Sequence, residues 1–469
     1  MSVVEIMKSA LVVVNYLFVI YLITYSSFLF LSSIIGSLTL YRNRNYRKLR
    51  NELKDDYYVP ISIVVPAYNE ELTIVSTVQS LSKLHYKLFE IVVVDDGSKD
   101  DTSKRVIEAF NLVEINKPIQ RVIKCNKILK IYENTVNGKK IILVRKENGG
   151  KADALNAGIC ASTFPYFTCM DADSLLQVDS LEKIVKPILE DSSVIACGGN
   201  IRIANGIKFE NGKVKTYHLP NNLLVAMQVL EYDRSFLASR ILFDEFNGNL
   251  IISGAFGLFK KNIVIAAGGY DPKTVGEDFE LVIKLHVFCR MHNIKYNIKY
   301  VPEPICWSQA PDTFNNLFKQ RRRWNKGLLQ GMTKYKELFL NPKYGLISLI
   351  SYLYFLLYEL FSPFIEFFGI IVMILSYFLD LLNTKFMIMF MIMYVIFNSL
   401  LSFSIFLSRL HVENIKLSLD DFIKAAILSV FELIFLRYVV LVARFSAFLG
   451  YKKQKHVWDR VDRREMKYE

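Results

Sequence analysis

Residues 146–174 read KENGGKADALNAGICASTFPYFTCMDADS, and the rest of the chain is read outward from them. Tyr166–Met170 is a short apolar run that ends in Asp171-Ala172-Asp173. A run that short, followed at once by acids, predicts a buried strand ending at a site. Residues i and i+2 of an extended chain point the same way, so Asp171 and Asp173 are expected to face one partner. Two close carboxylates repel, and a divalent cation is the natural third member. Hard oxygen ligands suit Mg²⁺ or Mn²⁺, and Mg²⁺ keeps several waters and binds substrate phosphates. Taken alone, the triplet also fits solvated acids in a loop after a strand.

Three upstream runs have the same form. Ile61–Val65 breaks at Pro66-Ala67-Tyr68-Asn69-Glu70, Ile91–Val94 ends in Asp95-Asp96-Gly97-Ser98, and Ile141–Val144 leads to Asn148–Asn156. Helical patterns lie between most of these runs, which predicts a mainly parallel sheet covered on both faces. Ligands of such sheets bind beyond the carboxyl ends of the strands, where the polar motifs of all four runs fall. One cleft accounts for them. Asn111–Lys140 is an insertion with no assigned role, and its Asn137-Gly138 is a turn signal.

Asn148-Gly149-Gly150-Lys151 departs from a P-loop, with Arg145 at the first Gly position and Ala152 at the Ser/Thr position. A Gly pair before a helix still lets backbone N–H groups approach an anion, and Lys151 adds a point charge. The stretch alone also reads as a plain helix-start turn. Ser253-Gly254-Ala255-Phe256-Gly257 lacks the dinucleotide pattern and predicts a tight turn or a close backbone approach. Glu277-Asp278 opens the helical run Phe279–Phe288, a place where acids also act as caps. Gln320-Arg321-Arg322-Arg323-Trp324 suits a solvated or headgroup-facing surface. A Trp beside an Arg fork also suits a sugar ring near a pyrophosphate.

The chain has 469 residues, which suggests two to four domains. It carries 34 Phe and 26 Tyr, and its apolar stretches crowd into the first 40 residues and into 344–448. The middle is ordinary mixed globular sequence. The net charge of +13 suits nucleic acid, anionic lipid or an anionic small substrate. Much of it flanks the apolar stretches (Arg42, Arg44, Arg47, Lys48, Arg50 and Lys54; then Lys452, Lys453 and Lys455), which favours a membrane surface over nucleic acid. The six Cys have no metal-ligand spacing and are expected to be reduced, buried thiols.

Together these residues resemble a membrane-bound family-2 glycosyltransferase of the processive-synthase type, the group of cellulose, hyaluronan and poly-N-acetylglucosamine synthases. The matching pieces are Val65–Glu70, Val94–Ser98, Gly149–Gly158, Asp171-Ala172-Asp173, Gly276-Glu277-Asp278 and Gln320-x-x-Arg323-Trp324. The resemblance implies an α/β GT-A nucleotide-diphospho-sugar transferase fold with flanking transmembrane helices. It implies that Ala67, Glu70 and Asp96, with Asp95 as a further member, hold the uridine of a UDP-sugar, and that Lys151 lies near the diphosphate. Asp171 and Asp173 would hold the donor sugar and Mg²⁺ or Mn²⁺, and Asp278 would be the general base. Gln320, Arg323 and Trp324 would frame the acceptor and the leaving diphosphate, with Ser253 and Gly254 as the acceptor floor. Direct displacement would invert the anomeric configuration.

The expected organisation is an N-terminal transmembrane anchor (1–41), a basic juxtamembrane linker (42–59), a cytosolic GT-A domain (60–330), transmembrane and interfacial helices (331–450) and a basic cytosolic tail (451–469). Basic residues after Leu40 place the domain in the cytoplasm of a multi-pass membrane protein. Tyr344–Leu379 is expected to span with a kink at Pro363, and Phe386–Leu407 to span again. Lys424, Glu432, Arg437 and Arg444 interrupt Phe422–Gly450, which favours an interfacial or re-entrant segment. Three spans leave a polymer channel within one chain in doubt. The reading is polymer synthesis on a polysaccharide acceptor, with membrane lipids and accessory export proteins as partners. The alternatives are single addition to a lipid or other acceptor, and a non-catalytic nucleotide-sugar-binding membrane protein.

Overall fold

Four buried, β-branched runs form the centre of the sheet: β1 (Ile61–Ala67), β2 (Phe89–Asp95), β5 (Lys139–Lys146) and β6 (Tyr166–Cys169). The computed structural model describes residues 3–50, 58–116, 118–210 and 213–449. Lys54 and the 451–469 tail lie outside the described residues, as do the side chains of Arg47, Lys48 and Arg50. The remaining strands are β3 (Val113–Ile115), β4 (Ile128–Val136), β7 (Leu175–Leu176), β8 (Val194–Ile203), β9 (Lys208–Glu210), β10 (Lys213–Thr216), β11 (Gly257–Lys260) and β12 (Asn297–Ser308).

Ten of them make one sheet in the order β3-β4-β5-β2-β1-β6-β11-β8-β12-β7. β5, β2, β1 and β6 are mutually parallel neighbours, as the alternation of strands and helices predicts. Beyond them the sheet is mixed rather than mainly parallel. β11 runs antiparallel to both β6 and β8, and β4 runs antiparallel to β3 and β5. The insertion Asn111–Lys140 is therefore a sheet extension. Asn137 and Gly138 sit at φ of 51° and 73°, the conformation of a two-residue hairpin turn, which sends β5 back along β4. One apolar layer covers each sheet face. Ile63, Val65, Ile91, Val93 and Phe256 belong to one, while Val64, Val92, Leu155, Phe167 and Leu281 belong to the other.

Among the described residues three helical runs are long and apolar enough to cross a membrane: Glu5–Arg44, Thr384–Glu413 and Leu419–Ser446. Ile347–Leu360 and Ser362–Phe378 are two helices meeting at 57°, a bend that fits either one broken span or a re-entrant pair. Pro363 lies in the first turn of the second, where its missing N–H removes no helix bond. Leu419–Ser446 takes in most of Phe422–Gly450, the segment that sequence places at the interface. Its charges are not bare. Lys424 Nζ donates to Pro220 O, and Glu432, Arg437 and Arg444 pair with Arg234, Glu366 and Glu359. Both its ends rest on the sheet domain, through Asp421 with His218 and Arg444 O with Asn325.

Candidate active site

A single cleft of about 1800 Å³ opens over the carboxyl ends of β1, β2 and β6. Of the residues the sequence singles out, Ala67, Glu70, Asp96, Lys151, Asp171, Asp173, Ser253, Gly254, Asp278, Gln320, Arg323 and Trp324 all line it. Asp95 does not. It is the last residue of β2, buried below the cleft. There it accepts from Ser98 N at 2.9 Å and from the Ser103 hydroxyl. Its part is to fold the loop that presents Asp96.

Asp96 accepts from Gly149 N at 3.0 Å, Gly150 N at 2.7 Å and Asn148 Nδ2 at 3.2 Å. Gly150, at φ 86°, turns the chain into the helix Lys151–Ala161. The Gly pair thus approaches a carboxylate of the protein itself, which fixes the loop above the sheet. Burial raises the Asp96 carboxyl from its ordinary value, against the pull of Lys146.

Lys146 is the residue that sequence reasoning passed over. It ends β5 fully buried, with Nζ 2.5 Å from Asp96 and 2.6 Å from Asp153. Asp153 in turn accepts from Asn126 N at 3.1 and 3.0 Å, so the insertion braces the loop from behind. The available signal is a Lys that prolongs the apolar run Ile141–Val144 just before the glycines. Lys146→Met should cost about 3–5 kcal/mol, because it strands two buried carboxylates without a counter-charge. A fall in the thermal unfolding midpoint in detergent checks this. Asp153→Asn in the same background should recover part of the loss.

Asp171 and Asp173 lie in a turn after β6, not in extended chain. Ser174 N donates to Asp171 O at 3.1 Å, and Thr77 Oγ1 pins Ala172 O at 2.7 Å. Both acids still line the cleft, brought there by the turn and not by strand alternation. Lys151 Nζ stands 2.6 Å from Asp171 Oδ1 and 3.3 Å from Glu277 Oε1. Burial works against its charge, but Asp171 and Glu277 outweigh it and hold the ammonium above its ordinary range. Glu277, buried beside it, has its carboxyl raised by desolvation.

Asp278 opens the helix Glu277–Met291, as the sequence expects. Its Oδ2 accepts from Gly254 N at 3.1 Å and its Oδ1 from Phe279 N at 2.8 Å. The Ser253–Gly257 stretch is the expected tight turn, closed by Phe256 N to Ser253 O at 3.0 Å, and its backbone approaches Asp278. The helix Phe314–Lys334 forms another wall. Arg321 is not a free cation: it forks onto Glu231 at 2.6 Å twice and stacks 4.7 Å from the Trp324 ring centroid. That holds the half-exposed indole over the cleft beside Arg323. Buried Gln320 Oε1 has no hydrogen-bond partner among the described residues.

A parallel four-strand centre with acids, a glycine-fixed loop and an Arg-Trp helix around one cleft defines a sugar-nucleotide transferase type of site. Family models agree. The glycosyl transferase family 2 model matches residues 62–265, and the glycosyl transferase family group 2 model matches residues 166–402, half of the chain. The chain belongs to glycosyl transferase family group 2. Among curated proteins it is similar to a poly-beta-1,6-N-acetyl-D-glucosamine synthase of Staphylococcus aureus. The two are 30% identical over 313 residues, 66% of this chain and 64% of that one. The synthase of the same name from Staphylococcus epidermidis is 29% identical over the same extents. The chain thus spans a little under two thirds of the length of these relatives. Among solved structures, a mannosyltransferase from Pyrobaculum calidifontis in complex with GDP-Man and Mn²⁺ aligns with a TM-score of 0.45 at 17% identity. That alignment covers 92% of this chain and 98% of the other.

Proposed function

We propose that this protein is an inverting membrane glycosyltransferase that transfers N-acetyl-D-glucosamine from a UDP donor to a growing β-linked polysaccharide. The observation that carries this reading is the continuity of the cleft. Asp96, Asp173, Asp278 and Trp324 line it over the sheet, and the same space runs on between the helices past Tyr25, Tyr358, Glu366 and Arg437. Single addition needs only the part over the sheet. A product that grows needs somewhere to go, and the extension of the cleft between the helices supports polymer synthesis despite the small number of spans.

In this reading Ala67, Glu70 and Asp96 hold the uridine, with Asp95 shaping their loop, and Lys151 faces the diphosphate. Asp171 and Asp173 fit a divalent ion. Two carboxylates beside substrate phosphates are an ordinary protein contribution to Mg²⁺ or Mn²⁺, and Asp171 already faces a cation in Lys151. Such an ion, when bound, neutralises charge that develops on the leaving diphosphate. Asp278 takes the proton of the acceptor hydroxyl as its oxygen bonds the anomeric carbon. The bond from that carbon to the diphosphate breaks, and the electron pair leaves with UDP. Gly254 and Phe279 N–H groups hold the carboxylate in one orientation. Arg323 faces the departing diphosphate. Trp324 and Gln320 position the acceptor, with Ser253 and Gly254 beneath. An α-linked donor then gives a β-linked product. The sheet domain is cytoplasmic, the apolar helices cross or line the membrane, and accessory export proteins receive the polymer.

The test is UDP release by the purified full chain in lipid nanodiscs across a panel of UDP-sugars, followed by product sizing. UDP-N-acetylglucosamine should give the fastest release and a long product. Products extended by one sugar would replace polymer synthesis with single addition. No release from any UDP-sugar would overturn the reading.

A further inference from the structure

The wall that carries Trp324 and the loop that carries Asp278 touch through their backbones. A Cβ placed on Gly327 would lie 2.6 Å from Gly276 Cα and 2.8 Å from Gly276 N. One placed on Gly276 would lie 2.7 Å from Gly327 Cα. No side chain fits on either partner without pushing the helix and the loop apart. One turn further along the same helix face, a Cβ on Gly331 would meet the Phe279 ring at 2.6 Å.

Hydrogen bonds lock the same contact. Buried Gln330 Oε1 accepts from Val275 N at 2.8 Å and from Thr274 Oγ1 at 2.9 Å. Thr274 Oγ1 in turn accepts from Gly276 N at 3.2 Å. The two bonds to Gln330 tie residues 274–276, directly before Glu277 and Asp278, to the helix Phe314–Lys334, and the bond from Gly276 N to Thr274 braces the loop itself. Trp324 lies three residues before Gly327 on that helix, so the two share a face. Asp278 lies two residues after Gly276. The stretch from indole to carboxylate therefore runs through one backbone-to-backbone contact with no flexible side chain in the path.

We infer that Thr274, Gln330 and the Gly276–Gly327 contact are positioning elements for the transfer reaction. They set the distance between the acceptor platform at Trp324 and the base at Asp278. This rests on the acceptor and base roles proposed above. The donor is held mainly from the other side of the cleft, by Asp96, Asp171 and Asp173; Lys151 also meets Glu277 at 3.3 Å, but its closer partner is Asp171 at 2.6 Å, outside the clamp. Loosening the clamp thus separates acceptor from base while the donor stays in place. Water needs no platform and can still reach the anomeric carbon.

The experiment compares Thr274→Val, Thr274→Ser and Gln330→Met in the full-length protein in nanodiscs. UDP-N-acetylglucosamine affinity, UDP release and sugar incorporation are measured separately. Thr274→Val keeps the shape and removes both hydroxyl bonds, whereas Thr274→Ser keeps them. Misplacing a reacting group by about an ångström costs on the order of a hundredfold in rate, so a partial loosening should cost about tenfold or more. Thr274→Val and Gln330→Met should lower incorporation by about tenfold, with donor affinity unchanged. The ratio of UDP released to sugar incorporated should rise, and Thr274→Ser should restore it. If incorporation and UDP release fall together at a constant ratio, or if serine fails to rescue, the positioning role is overturned. If the unaltered protein releases no UDP from any sugar nucleotide, the functional reading fails first and the inference falls with it.

Discussion

Asp278→Asn should lower turnover by about 10²–10⁴-fold with donor affinity unchanged. The amide keeps the shape of the carboxylate, and its oxygen can still accept from the Gly254 N–H that meets Asp278 Oδ2 at 3.1 Å, while the bond from Phe279 N to Oδ1 is given up. What the reaction loses is the capacity to take a proton from the attacking hydroxyl. The donor groups Asp96 and Asp171 lie elsewhere in the cleft, and the bonds that hold Asp96, to Lys146, Gly149 and Gly150, do not pass through Asp278. Lys151 lies nearer to Asp278 but keeps its own contacts to Asp171 and Glu277. UDP binding by calorimetry and turnover by coupled UDP release separate the two effects. Near-normal turnover with weakened UDP binding would make Asp278 a donor contact or a helix cap, the role that acids in a first turn also fill.

Removing the divalent ion should have the next largest effect. Chelation with EDTA should abolish turnover, and added Mg²⁺ or Mn²⁺ should restore it. Asp173→Ala should do the same irreversibly without unfolding the chain, because Asp173 is half-buried at the cleft wall rather than in either apolar layer. Lys151 makes the result specific. Its ammonium neutralises Asp171 at 2.6 Å, so the site should hold its shape when the ion is stripped. An unfolding midpoint unchanged by chelation, alongside lost turnover, is the expected pair of results. Full activity in EDTA would refute the metal role of Asp171 and Asp173.

The parallel centre of the sheet was legible because Ile61–Val65, Ile91–Val94, Ile141–Val144 and Tyr166–Met170 each end in polar residues that need a common cleft. The mixed remainder was not. An apolar run such as Gly257–Lys260 carries no mark of direction, and its antiparallel pairing with β6 is decided by tertiary contacts. Asp95 and Asp96 show a rule that could have been applied. Neighbouring residues at a strand end point to opposite sides, so both could not reach one cleft. Lys146 and Asp153 were hidden for a different reason. Their worth lies in a buried three-charge contact between residues seven apart and fifty apart in sequence, and only the fold brings them together. The partners of the charges in Leu419–Ser446 were hidden in the same way, since Glu432, Arg437 and Arg444 find theirs on distant helices and Lys424 finds its own at Pro220.

The N-terminal helix makes its polar contacts with residues near the other end of the chain. Asn15 Nδ2 donates to Ser376 Oγ, Ser26 Oγ accepts from Asn398 Nδ2, and Ser37 meets Ser408. The separations are 361, 372 and 371 residues. At ribosomal speeds of about 5–20 residues per second, the first helix waits roughly 20–70 s for these partners to be made. During that interval Asn15 has only its bond to Leu11 O within the helix, while all the strands of the sheet, the last of which ends at Ser308, have already been made. Biogenesis is therefore ordered by the chain itself: the sheet domain matures first, and the helical passage is sealed last, by the carboxyl-terminal helices. A ribosome stalled before Ser376 would leave a folded domain tethered by a helix whose bundle does not yet exist.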